Sequence, residues 1–104
     1  MKTRLVVMNE HRIVQTEHDG EWVNEKIQRA GKNIKAGIYD LFLSQELALE
    51  GECKGVVIHT DSDYVYQLDG KKIIKYSANC FDKKITVGSK PTVIRQKNGE
   101  YKIN

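Results

Sequence analysis

The chain of 104 residues holds one proline, Pro91, two cysteines and eight scattered glycines. That composition excludes collagen-like and low-complexity disordered chains. Long apolar runs are also missing. Near the N-terminus the longest is Leu5-Val6-Val7-Met8, far short of the ~7–15 residues of a signal-peptide core or the ~20 of a membrane span. A soluble cytoplasmic protein with no membrane partner is therefore expected. Cys53 and Cys80 have no Cys-x-x-Cys neighbour, which removes zinc-knuckle and redox motifs. Both are expected reduced and buried, as small hydrophobes. There is no Gly-rich phosphate loop, Gly-x-Ser-x-Gly elbow or His-Glu-x-x-His sequence, so no catalytic residues, cofactor or metal are expected. A Cys/His nucleophile built from Cys53 or Cys80 with His59 has no local motif behind it.

What is present favours strands. Nine Val and ten Ile stand against six Leu and four Ala, and β-branched side chains suit pleated surfaces better than helices. With 39% hydrophobic residues the chain can fill one small core, giving a single domain over residues 1–104. The expected class is mainly β (α+β): a small, strongly curved antiparallel sheet or SH3-like barrel with one short helix.

Turn chemistry divides the chain. Thr3–Met8 and Arg12–Thr16 read as a hairpin across Asn9-Glu10-His11, and Asp19-Gly20 marks a second reversal. Val23, Ile27 and Ala30 recur at i, i+4 and i+7 before Gly31, which predicts a short helix over 23–30. Residues 34–43 read as a strand. Residues 44–51 read either as one helical turn capped by Ser44 or as an irregular loop. Residues 55–76 form a meander: Val56–His59, a turn at 60–63, Tyr64–Leu68, a type I′ signal at Asp69-Gly70, and Lys71–Tyr76. Residues 77–84 are expected to turn and tuck Phe81 into the core. Ile85–Val87, Pro91–Gln96 and Tyr101–Ile103 read as further strands, the last two joined through Asn98-Gly99.

The net charge of +3 conceals a segregation. Residues 1–39 carry +2, residues 40–69 carry −6 and residues 71–104 carry +7. Two explanations stand: cross-strand charge pairing within one sheet, or separate surfaces. In the second, Asp40, Glu46, Glu50, Glu52, Asp61, Asp63 and Asp69 make an acidic partner-binding surface that mimics phosphate charge toward a basic cleft. Alternatively Tyr64, Tyr66, Lys71, Lys72, Lys75, Lys83 and Lys84 bind nucleic acid by stacking and phosphate pairing. The competing reading of those tyrosines, and of Trp22, is core packing. His59-x-Asp61-x-Asp63 alternates as strand-borne metal ligands would, but it falls at a strand end, where Asp serves local turn bonding; the turn reading is the expectation.

Arg4-Leu5-Val6-Val7, Asp19-Gly20-Glu21-Trp22, Gly37-Ile38-Tyr39-Asp40-Leu41 and above all Gly55-Val56-Val57-Ile58-His59-Thr60-Asp61 followed by Tyr64-Val65-Tyr66-Gln67 resemble the KfrB-like domain of plasmid and phage proteins. The resemblance runs from about residue 4 to the final hairpin. It implies a small β-rich interaction module of mobile genetic elements with no catalytic set. By analogy of size and genomic company, a stand-alone copy is expected to antagonise host defence, as a CRISPR–Cas inhibitor that occludes a protein surface. The alternative is a nucleic-acid-binding accessory protein in plasmid maintenance or conjugative transfer.

Overall fold

The computed structural model describes residues 2–31, 33–81 and 83–104. Among these residues ten strands form three antiparallel sheets. The N-terminal sheet holds β1 (Thr3–Met8), β2 (His11–His18), β3 (Glu21–Arg29) and β4 (Gly37–Tyr39), in the order β3-β2-β1-β4. A middle sheet, β6-β7-β8, is made by Val57–Thr60, Tyr64–Asp69 and Lys72–Ser77. The C-terminal sheet joins β5 (Glu52–Lys54), β9 (Thr92–Arg95) and β10 (Tyr101–Ile103), with β9 central. The fold is mainly β, and the sheets remain open rather than closing into a barrel. Among the described residues the helical content is two single 3-10 turns, Leu41–Leu43 and Ala78–Cys80.

The turns follow local chemistry. Asn9 and Glu10 both take positive φ (49° and 63°), as do Asp19 and Gly20 (50° and 83°), which is the I′ pattern that matches strand twist. The β7–β8 turn departs from the expected I′ type. Asp69 pairs with Lys72, so the two-residue loop is Gly70-Lys71, and positive φ on Gly70 alone (60°) is the II′ pattern. Between β9 and β10 the backbone reverses through Gly99 at φ 89°, with Gly99 N–H donating to the Gln96 carbonyl at 2.9 Å.

The helix expected over 23–30 is a strand. β3 pairs with β2 along its whole length, from His18↔Glu21 to His11↔Arg29, with a bulge at Asn24-Glu25. The spacing misleads because β3 is an edge strand: Val23 and Ile27 are exposed, at 42% and 59%, so their recurrence reports no buried helical stripe. The preceding I′ turn commits the chain to a hairpin instead. Two other segments also differ from expectation. The strand read over 34–43 shrinks to β4 followed by the 3-10 turn, and Ile85–Val87 joins no sheet. Residues 44–51 form a loop in which Gln45 bridges to Ile74. Phe81 packs against the second core as expected; Asp82 of the same segment lies outside the described residues.

Alternation along the middle sheet buries both of its faces. Tyr66 and Ile73, with Ile58 and Val56, meet Leu5, Val7 and Leu41 of the N-terminal layer. The opposite face sends Val65, Ile74 and Tyr76, with Val57, against Cys53 and Val93 of the C-terminal layer. Three stacked layers thus share two cores. Gln67 occupies the second interface with no solvent exposure. Its Nε2 donates to the carbonyls of Gly55 (2.9 Å) and Pro91 (2.8 Å), and its Oε1 accepts from the Tyr76 hydroxyl at 2.7 Å. Gly55 allows the approach: a Cβ there would stand 1.7 Å from the Leu68 carbonyl oxygen. Replacing Gln67 by Leu strands two part-buried carbonyls and a buried hydroxyl, and is expected to lower unfolding free energy by about 3 kcal/mol in urea titrations. Tyr76→Phe, which removes only the hydroxyl, is expected to cost about 1 kcal/mol.

Candidate interaction surfaces

Directly paired residues on neighbouring strands point to the same side of a sheet. In the N-terminal sheet Leu5 and Val7 face the core, so Val6 faces away. Val6 pairs with Ile13 on one side and Ile38 on the other, and Ile13 pairs with Ile27. One apolar row, Ile38-Val6-Ile13-Ile27, therefore crosses all four strands on the outer face. Its two ends are each 59% exposed. The adjoining row is polar: Arg4 Nε donates to Gln15 Oε1 and Gln15 Nε2 to Asn24 Oδ1, both at 2.8 Å. Trp22 lies on the same face, as the partner of Glu17. The Arg4 guanidinium stacks 4.2 Å from the Trp22 ring centre, Phe42 stands 6.2 Å from it, and the Lys2 ammonium lies 5.3 Å from Phe42. Trp22 is thus half-buried on the outer surface instead of anchoring a core, because the β2–β3 register assigns it to the outward side.

The acidic residues do not form one surface. Glu52 lies 3.3 Å from Lys54, and Glu50 lies 3.9 Å from Lys97. Asp61 and Asp63 sit before β7 and Asp69 ends it, six residues or ~20 Å apart along the strand. Asp40 precedes the first 3-10 turn and Glu46 lies in the loop after it. Asp69 opposes Lys72 across the β7–β8 ladder. Part of the acidic charge is therefore met by pairing: within β5 for Glu52 and Lys54, across the β7–β8 ladder for Asp69 and Lys72, and between distant segments for Glu50 and Lys97. Asp61 serves its turn: Oδ1 accepts from the backbone N–H of Asp63 (2.8 Å) and Tyr64 (2.7 Å). Among the described residues no three of His, Cys, Asp and Glu gather into a metal-binding group.

The basic and aromatic set is also divided. Lys75 lies 4.6 Å above the Tyr64 ring, and Tyr64 is 38% exposed. Tyr66 is in the core, its hydroxyl pushed up to about 12 by burial and then by the Asp61 charge. Lys71 and Lys72 are at the opposite end of the β7–β8 hairpin, while exposed Lys83 and Lys84 follow the second 3-10 turn.

His59 pairs with Tyr66 at the junction between the N-terminal and middle sheets, with ring centres 5.9 Å apart. It is 7% exposed, and among the described residues its Nδ1 has no hydrogen-bond partner. Burial lowers its pKa, and the Arg12 and Lys26 charges across the junction lower it further against the opposing pull of Asp61. Cys53 is buried beside the Tyr76 hydroxyl, and burial pushes its thiol up. Cys80 is exposed, contrary to expectation, because the 3-10 turn after β8 holds it outside both cores.

Residues 52–100 match the family model of the KfrB domain. This segment, just under half of the chain, is similar to the KfrB domain. KfrB is a plasmid-associated family. The matched segment comprises the middle sheet and strands β5 and β9; the motif from Gly55 to Gln67 lies within it. The N-terminal sheet, with its apolar row, lies outside the matched residues and packs on the matched segment through the first core. No curated protein matches the chain.

Two measurements follow from these burials. In the native protein a thiol reagent is expected to modify Cys80 alone, with Cys53 reacting only on unfolding. Between the lowered pKa of native His59 and about 6.5 for an unfolded histidine, the unfolded chain binds the proton and the native chain does not. Stability is therefore expected to fall as pH drops through that window. Denaturation midpoints compared between pH 8 and pH 5 read the effect, and His59→Phe is expected to flatten it.

Proposed function

We propose that the protein is a non-enzymatic binding module of a mobile genetic element that acts by occupying a protein surface, using the outer face of the N-terminal sheet as its contact. The observation that carries this reading is the uncovered row Ile38-Val6-Ile13-Ile27, set beside the Arg4–Trp22–Phe42 stack. Exposed aliphatic residues grouped with Trp and Arg are the composition of energetically dominant contact centres. Val6 and Ile13 belong to neither of the two cores flanking the middle sheet, so core packing alone gives no reason for a continuous row.

The partner we propose is a protein of host defence, with a CRISPR–Cas effector as the leading class. The similarity of residues 52–100 to the plasmid-associated KfrB domain supports this choice. Occlusion by the sheet face replaces the phosphate-mimic route, since the acidic residues are dispersed and partly paired. The nucleic-acid alternative draws on one observation, the exposed Tyr64 ring under Lys75, which offers a single stacking platform.

A panel of purified CRISPR–Cas effectors tests the reading. At least one is expected to be bound and inhibited, and Ile27→Asp combined with Trp22→Ala is expected to weaken binding by about a hundredfold, two contact centres at ~1–2 kcal/mol each, with the fold intact. An effector bound equally well by the double variant would remove the sheet face from the reading, and failure across the panel would remove this partner class. Fluorescence anisotropy with single- and double-stranded DNA at low salt tests the alternative. Binding that falls steeply with salt and is lost in Lys71→Glu, Lys72→Glu, Lys75→Glu would put nucleic acid in its place.

A further inference from the structure

The apolar row ends at Ile38, and Ile38 is also the lip of a groove. The groove, about 590 Å³ in volume, runs between β4 with its following 3-10 turn and the β7–β8 hairpin of the matched segment. Ile38, Leu43 and Ile73 contribute its apolar lining and Lys35, Lys71 and Lys72 its charged rim. Ile38 and Leu43 are 59% and 62% exposed, so two large aliphatic side chains meet water where three lysines converge. Lys72 is opposed by Asp69 in the β-ladder. Lys35 and Lys71 make no ion pair with a carboxylate among the described residues, and the one acidic residue in the lining is Asp40.

The backbone adds a second feature. β4 is the last strand of its sheet and pairs only with β1. Its outer edge meets no strand among the described residues. Such an edge accepts an extended segment through main-chain hydrogen bonds, while the side chains of the incoming strand enter flanking pockets or meet the charged rim. Natural sheets blunt open edges with prolines or inward-pointing charges, and Gly37-Ile38-Tyr39 has neither. The lysines stand around the groove, where they repel cationic segments and favour anionic ones.

We infer that this groove docks an extended acidic segment of a partner protein, one that alternates Asp or Glu with aliphatic residues and adds as a strand to β4. The aliphatic side chains cover Ile38, Leu43 and Ile73, and the carboxylates face Lys35 and Lys71. This names the chemistry of the partner and rests on reading the protein as a binding module. The two fail separately, because Ile27 and Trp22 test the sheet face and neither lines the groove.

The test uses the full chain and a fluorescein-labelled nine-residue peptide that alternates Glu with Leu and Ile, beside a counterpart carrying Lys for Glu. Anisotropy is expected to show saturable binding of the Glu peptide that weakens as salt rises, with no binding of the Lys peptide. Lys35→Glu combined with Lys71→Glu is expected to weaken binding at least about tenfold, while Lys90→Glu, an exposed lysine that does not line the groove, leaves it unchanged. Both lysines are exposed, and an unaltered urea midpoint confirms that the charge-reversed variant is folded. Failure to bind the Glu peptide, equal binding of both peptides, or binding indifferent to the charge reversal would overturn the proposal. So would a dimer, seen by light scattering, that the charge reversal dissolves, because the occupant would then be a second copy.

Discussion

The carboxamide of Gln67 is the polar contact that fixes how the middle and C-terminal layers sit together. It lies on the central strand of the central sheet, fully out of water. Two of its bonds go to carbonyls from segments far apart in sequence, at Gly55 and Pro91, and the third comes from Tyr76. Those carbonyls precede β6 and β9. A buried carbonyl left without a donor costs about as much as a typical single mutation, so one side chain settles two loops at once. Tyr76 extends the arrangement, standing edge-on to Phe81 and Tyr101 with ring centres at 5.4 Å and 5.1 Å.

The other interface is built differently. Between the N-terminal sheet and the matched segment the contact is aliphatic at its centre, through Leu5, Val7, Leu41, Ile58 and Ile73, and polar toward one side, where His59 faces the charges of Arg12 and Lys26. Arg12 keeps its own bond there, Nε donating to the Arg29 carbonyl at 3.0 Å. With one sheet face spent on this core, no second core forms on the opposite face among the described residues. The exposed row and the Trp22 stack are consequences of placing a four-stranded sheet as an outer layer.

Much of the architecture was legible because turn chemistry is local. Asn9-Glu10, Asp19-Gly20 and Asn98-Gly99 mark reversals through residues that tolerate positive φ, and the reversals occur there. Asp69-Gly70 marked its hairpin correctly but not its turn type, since the register of β7 and β8 places the loop one residue later. The edge strand β3 was misread because an exposed strand with a bulge has no strict alternation to display, and three apolar residues at helical spacing then suffice to suggest a helix. Gln67 was seen as part of the motif shared with the KfrB family, yet its bonding partners lie 12 and 24 residues away and no pattern around it announces them.

The amino-acid sequence by itself determined the β-rich class, most of the reversals, the Asp61 turn and the KfrB signature, all of which depend on residues close together along the chain. Tertiary structure alone decided which face each strand turns outward, and therefore that Val6, Ile13, Ile27 and Ile38 form one row and that Trp22 joins the surface. It also decided the fate of the charge segregation. A run of acidic residues in sequence is divided in space because β7 carries its two ends apart, while Glu50 meets Lys97 of a distant segment and Glu52 meets Lys54 on its own strand. Side-chain direction alternates with every residue and pairing depends on register, so these outcomes follow from how strands align and from nothing that a linear reading of composition contains.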